Sequence, residues 1–198
     1  MTGIESELQT ERSKTVARWF GIVCLTSLLY WQRAQYEKSS REALEWIFAG
    51  IVLINLLHSI ILFRAKECPP IYKYVSVGLD ALFLTLTIRY TGFSRSPFFF
   101  IYFLLLISNC IRYGLLMSLY IAALVNVLYA SVLSLGPQLE PTVLGGEGLK
   151  ILAFWGVALY GGAVAARIRR QSFEIAAYED TIAALRLEIE DRNRTKSA

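Results

Sequence analysis

The sequence predicts an all-α fold, in which a polytopic membrane bundle of six transmembrane helices leads into a C-terminal cytosolic coiled-coil signalling helix. The chain has 198 residues, of which 55% are hydrophobic and 18% are charged, whereas soluble domains are about a quarter charged. Several apolar runs approach the roughly 20 residues that a helix needs to cross a bilayer. The last run continues into a charged amphipathic segment with no Gly or Pro from Ala163 to the end.

Six apolar segments follow a polar leader of residues 1–14. Helices are predicted over residues 15–32, 43–63, 72–91, 98–111, 115–135 and from 149 onward. Residues 15–168 then form the membrane domain, and residues 169–198 form the cytosolic coiled-coil linker. The third, fourth and sixth helices are short for a full crossing, so an alternative is four crossings with the third and fourth helices as a re-entrant hairpin. The glycine-rich segment 136–148 is predicted to be a flexible connection.

Basic residues near the helix ends predict the orientation in the membrane. One side would hold ten of them, namely Arg12, Lys14, Arg18, Arg64, Lys66, Lys73, Arg112, Arg167, Arg169 and Arg170. The other side would hold six, namely Arg33, Lys38, Arg41, Arg89, Arg95 and Lys150. Because cytoplasmic loops carry the excess of Lys and Arg, both termini are expected in the cytoplasm of a multi-pass protein of the bacterial inner membrane.

One heptad register runs through the last helix and predicts a parallel two-stranded coiled coil. The predicted dimer contacts are Ile168, Ile175, Tyr178, Ile182, Leu185 and Ile189. So short a coil is marginal alone, and the membrane part would have to supply much of the association. A solvated amphipathic helix in a monomer is the alternative.

Small residues at Ala158, Gly162 and Ala166 share one face of the sixth helix. Such a face is typical of a dimer seam between membrane helices. It equally suits close packing within one bundle, and the sequence does not choose between the two.

Polar residues inside apolar helices are costly in a bilayer and therefore invite a functional explanation. The set is Asn55, His58, Asp80, Asn109, Arg112 and Asn126. At about 1.5 Å per residue, most of this set lies at one depth near the cytoplasmic side, with Arg112 as a candidate partner for Asp80. These residues either hold the bundle together by hydrogen bonds or form a sensing cluster in which His58 or Asp80 changes protonation or binds a ligand.

The segment around the predicted third and fourth helices carries a family resemblance. It reads DALFLTLTIRYTGFSRSPFFFIY, with Asp80, the turn residues Thr91, Gly92, Ser96 and Pro97, and Tyr102, and Arg112-Tyr113-Gly114 closes it. This pattern resembles the N-terminal membrane domain of certain bacterial sensor histidine kinases, and similar domains precede some diguanylate cyclases. Phe93 stands where that pattern has a second glycine. The resemblance implies a sensory input module without catalytic residues, whose effector domain would follow the linker.

The turn Thr91–Pro97 is either an external recognition loop or plain turn chemistry. The aromatic residues after it, at 98–100, 102 and 103, are predicted to form an interfacial belt. The three cysteines are scattered and form no C-x-x-C, so no metal site, disulfide framework or cofactor is expected. A haem on His58 would need a second axial ligand, and His58 is the one histidine.

The expected partners are membrane lipid, a second copy of the chain, a cytosolic kinase or other effector domain, and a ligand that the sequence does not identify. A net charge of +4 gives no reason to expect nucleic acid. Two other functions stay open. One is a transporter or channel whose pathway passes Asp80 and His58, and the other is a membrane scaffold that binds a partner through its coil.

Overall fold

The computed structural model describes residues 3–64, 69–136 and 141–197. Within these residues the α-helices are α1 (Gly3–Gln32), α2 (Lys38–Arg64), α3 (Pro70–Tyr90), α4 (Ile101–Tyr113), α5 (Leu115–Leu135) and α6 (Pro141–Ser197). Short 3-10 helices lie between them at Arg33–Gln35, Phe93–Arg95 and Pro97–Phe100. The described part of the chain contains no strand, so the predicted all-α class is confirmed.

Four helices, α2, α3, α5 and α6, are long and apolar enough to cross a membrane, and the chain is therefore a helical membrane protein. The 3-10 turn before α4 and α4 itself form a shorter apolar segment, Pro97–Tyr113. α1 does not belong to the four, and its apolar run contains Arg18. Six crossings and the coiled coil therefore stay predictions.

Two segments differ from the sequence prediction. Residues 3–14 are not a separate leader, because α1 begins at Gly3 and continues through them. The segment 136–148 is not a flexible connection in the part that is described, because α6 begins at Pro141. Proline suits the first turn of a helix. Glu147, which stands among three glycines, is buried, and its contacts stabilise the helical conformation of this segment.

An aromatic core joins the 3-10 helix Pro97–Phe100 and α4 to α5 and α6. The Phe99 ring lies 5.1 Å from the Tyr129 ring and 5.4 Å from the Phe154 ring, centroid to centroid. Phe98 and Tyr102 are also buried, whereas Phe100 is 70% exposed. The predicted interfacial belt was therefore wrong for most of its members, because the 3-10 helix before α4 turns these rings into the bundle.

The first two helices form an antiparallel hairpin that packs on α3. Arg33 pairs with Glu45 at one end, at 3.2 Å, and the Trp19 indole donates to Ser59 Oγ near the other end, at 3.3 Å. Large apolar side chains on the outer faces of both helices are exposed, among them Phe20, Leu53 and Phe63. Such faces suit contact with lipid.

α6 packs against α4 and α5 through small residues. Ala158 and Gly162 are buried, whereas Ala166 is exposed. A Cβ on Gly162 would lie 3.1 Å from Leu115 Cα, so only glycine permits this approach of α6 to α5. The two inner residues of the small face therefore serve packing within one bundle and are not accessible as a dimer seam.

The junction between α4 and α5 depends on Gly114. Its backbone has φ 86° and ψ −165°, a conformation that is essentially restricted to glycine. A Cβ there would also lie 2.9 Å from an Arg169 nitrogen. Arg169, which follows the apolar part of α6, thus rests on the α4–α5 turn.

We expect Gly162→Ala to lower the free energy of unfolding by about 1–3 kcal/mol, the usual cost of an overpacked core. Thermal unfolding of the detergent-purified protein, followed by circular dichroism, measures the change. Gly156→Ala on the same helix is the matched control, because its Cβ would meet nothing within 4 Å and alanine has the higher helix propensity. Equal midpoints for the two variants would contradict this packing.

Candidate functional site: a polar cavity among the first four helices

A cavity of about 310 Å³ lies among α1, α2, α3 and α4. Its polar lining residues are Lys14, Arg18, Asn55, His58, Ser76, Asp80, Thr87, Ser108, Asn109 and Arg112. The remaining wall is mostly aliphatic and includes Ile22, Leu25, Ile51, Phe83, Leu84 and Ile101. The cavity therefore combines a polar, mainly basic end with an apolar body.

Arg18 is the centre of the polar end. Its Nε and Nη2 donate to Asp80 Oδ2 at 3.0 and 2.6 Å, and Nη2 also donates to the carbonyl oxygen of Ser76 at 2.9 Å. The Arg18 and Asp80 side chains are 14% and 27% exposed. The guanidinium thus joins α1 to α3 by charge-assisted hydrogen bonds, which are stronger than neutral ones.

His58 brings α2 into the same cluster. Arg18 Nη1 lies 3.1 Å from His58 Nε2, and arginine can only donate, so Nε2 accepts this hydrogen bond. The Tyr72 hydroxyl lies 2.8 Å from His58 Nδ1, and the two rings stack at 4.8 Å. Arg18 Nη1 also lies 3.4 Å from His58 Nδ1, so the imidazole contacts side chains of both α1 and α3.

Polar atoms without partners lie beside this network. Within the part of the chain that the structure describes, both amide atoms of Asn55, Oδ1 of Asn109 and Nη1 of Arg112 are buried without a hydrogen bond. Asn55 and Asn109 are almost completely buried. Since nearly all buried polar atoms in proteins find a partner, these atoms mark a place where the cavity's own residues do not satisfy one another.

The structure brings Asn55, His58, Asp80, Asn109 and Arg112 to one cavity. Asn126 on α5 does not line it, and its amide atoms also lack a partner among the described residues. The expected pairing of Asp80 with Arg112 was wrong, because Asp80 pairs with Arg18. The sequence offered a signal for this pair: an arginine in the first helix and an aspartate in the third at similar depths, with opposite charge.

A second polar cluster lies at the opposite end of the bundle. Lys150 Nζ donates to Glu147 Oε1 at 2.8 Å and to the Ser94 carbonyl at 3.0 Å. The Tyr129 hydroxyl donates to the other oxygen of Glu147, and Lys150 lies 4.7 Å from the Phe99 ring centroid. The sequence does not predict this cluster, because the glycine-rich segment around Glu147 has the composition of a flexible connection.

The turn between α3 and α4 is closed by its own hydrogen bonds. Thr91 and Ser96 are buried, and their hydroxyl oxygens lie 2.6 Å apart, while Gly92 has φ 123° and Pro97 begins the next 3-10 helix. Phe93 has φ 54°, an unusual left-handed conformation for a bulky residue. Phe93 thus adopts a backbone conformation that glycine adopts more readily.

The heptad stripe on α6 is uncovered. Ile168, Ile175, Tyr178, Ile182 and Leu185 are 48–69% exposed, and the side chain of Ile189 lies outside the described residues. Such a stripe is typical of one strand of a coiled coil.

No protein-family model, characterised protein or solved structure matches this chain at a significant level. The function therefore has to be inferred from the geometry of the cavity and of α6.

We expect Asp80→Ala to destabilise the protein by roughly 3 kcal/mol, the lower end of the cost of removing one partner from a buried ion pair. The variant leaves the Arg18 guanidinium without its carboxylate. The double variant Arg18→Met, Asp80→Ala should recover much of the loss, since no charge is then unpaired. Thermal unfolding in detergent measures both effects.

Arg95→Ala is the control for charge removal, because Arg95 is exposed in the α3–α4 turn. This variant should unfold close to the wild-type midpoint. If Asp80→Ala and Arg95→Ala behaved alike, the Arg18–Asp80 pair would have no structural importance.

Proposed function

We propose that this chain is the membrane input module of a bacterial signal-transduction receptor. A stimulus at the cavity changes the packing of α3 and α4, and α6 transmits the change to a cytosolic effector, a histidine kinase core. The observation that carries the proposal is α6 itself, one continuous helix of 57 residues, about 85 Å long at 1.5 Å per residue. Its first half packs in the bundle, and its second half extends beyond it with an exposed heptad stripe.

The packing around α4 supports a route from the cavity to this helix. α4 lines the cavity with Asn109 and Arg112. On its other side, Cys110 packs against Gly161 of α6. A Cβ added to Gly161 would lie 3.0 Å from Cys110 Sγ. Arg169 rests on Gly114 at the end of α4. A shift of α4 would therefore press directly on the helix that leaves the membrane.

The pairing of charges supports six crossings with both termini in the cytoplasm. α1 and the turn after it run along α2 from Glu45 to His58, where Arg33 and Arg18 make their contacts. Asp80 offsets the charge of Arg18, which lowers the cost of placing α1 in the bilayer. The basic excess then lies on the side of the α6 linker, as the positive-inside rule requires.

The helices around the cavity argue against the transporter alternative. α1, α2 and α3 are each continuous where they line the cavity, whereas transporter sites are typically built from broken helices. Asp80 and His58 both contact Arg18, and these contacts hold α1, α2 and α3 together.

A fusion of the full chain at Ala198 to the cytosolic core of a known histidine kinase tests the proposal. Inserting two residues after Gln171 rotates the downstream helix by about 200°, whereas inserting seven nearly restores its phase. We expect the seven-residue insertion to keep the autophosphorylation level in membranes and the two-residue insertion to change it severalfold. Equal output from both fusions would contradict transmission by a helical rod.

We expect α6 to pair with a second copy in parallel through its heptad stripe. In a background without the native cysteines, Ile175→Cys should form an intermolecular disulfide on mild oxidation of native membranes. Ala177→Cys, two positions away on the outer face of the proposed coil, is the matched control and should crosslink far less. Similar crosslinking at both positions would show random collision and not a coiled coil.

A further inference from the structure

We propose that the cavity binds a single-chain amphipathic carboxylic acid, such as a free fatty acid, with its carboxylate at Arg112 and its chain along the apolar wall. This inference deepens the proposed function, because it names the chemical class of the stimulus. It is argued from the charge, the length and the volume of the cavity.

The charge of the cavity favours an anion. Its lining contains three basic residues, Lys14, Arg18 and Arg112, and one acidic residue, Asp80. Asp80 forms an ion pair with Arg18. Nη1 of Arg112 is buried without a hydrogen bond among the described residues. An arginine at this depth normally pairs with an anion, and a guanidinium fork matches a carboxylate.

Neighbouring contacts place the basic groups together. Lys14 Nζ lies 5.5 Å from the ring centroid of Tyr113, the residue after Arg112. It also donates to Ser76 Oγ at 3.2 Å, and the same hydroxyl accepts from Arg18. Lys14 and Arg18 therefore meet at Ser76, and Arg112 lines the same cavity from α4.

The length of the cavity favours an alkyl chain. From Lys14 to Leu25 on α1, and from Arg112 back to Ile101 on α4, the lining extends over eleven residues, about 16 Å. Beyond the basic end the wall is mainly aliphatic. A ligand with one charged end and one long apolar part is complementary to such a wall.

The volume of the cavity favours one chain over two. A space of about 310 Å³ lies at the small end of the range for ligand sites, about 300–1,000 Å³. A two-chain phospholipid is too large for it. A monoanionic carboxylate is the simplest match for the Arg112 guanidinium, whose Nη1 has no partner among the described residues.

The test uses the full chain in phosphatidylcholine nanodiscs with a diazirine-labelled palmitic acid as the probe. After illumination, mass spectrometry locates the labelled residues. We expect saturable labelling on the apolar wall, within residues 79–87 and 101–105, with competition by unlabelled myristic acid. Myristyl alcohol, which has the same chain without the charge, should compete at least ten-fold less well.

Arg112→Gln should weaken competition by myristic acid about ten-fold, as expected for the loss of a charge-assisted hydrogen bond. Arg95→Gln in the exposed turn is the matched control and should leave the competition by myristic acid unchanged. If Arg112→Gln fails to fold, Ser108→Phe adds a ring to the cavity wall without altering a charge, and it should block the labelling.

The proposal would be overturned by unsaturable labelling at lipid-facing positions such as Leu53, by equal competition from acid and alcohol, or by stronger competition from lysophosphatidic acid. Saturable labelling without any change in the output of the kinase fusion would leave the fatty-acid site standing and contradict the sensory function. Failure of the ligand and failure of the function are therefore separable.

Discussion

The fork of Arg18 on Asp80 is the interaction on which the rest of the structure depends. Its hydrogen bonds of 2.6 and 3.0 Å join α1 to α3, and its contact with His58 adds α2. In an apolar environment neither charge is tolerable alone, so the pair fixes how the α1–α2 hairpin meets the other four helices. The hairpin is held by polar contacts around a cavity, whereas α3 to α6 pack through a continuous aromatic and aliphatic core.

This difference in packing has a mechanical meaning. The side of the molecule that holds the cavity is joined by polar contacts around an open space. The side that holds α6 resists independent movement, because Gly161 and Gly162 bring its backbone against Cys110 and Leu115. A rearrangement at the cavity is therefore expected to move α4 and α6 together. The fold thus places the cavity next to a helix that packs closely against α4 and α5.

Much of this architecture is readable from the sequence, because apolar runs and heptads are local patterns. The bounds of α5, 115–135, agree with the structure, and the depth of His58 and Asp80 follows from counting residues. The choice of partner for Asp80 does not follow, because several basic residues lie at similar depth and only the packing selects Arg18. The start of α6 could not be predicted either, because the glycines near Glu147 are typical of a loop. The contacts of Glu147 with Lys150 and Tyr129 depend on the tertiary fold.

The most direct test of the central claim, that the state of the cavity sets the state of the α6 rod, is a distance measurement between two copies of the chain. Spin labels attached at position 178 in nanodiscs report the separation of the two rods by double electron–electron resonance. The account predicts one narrow distance distribution for the wild-type cavity and a shifted or broadened one after Asp80→Ala, with Arg95→Ala unchanged. An identical distribution in all three proteins, or the absence of any intermolecular distance, would contradict it.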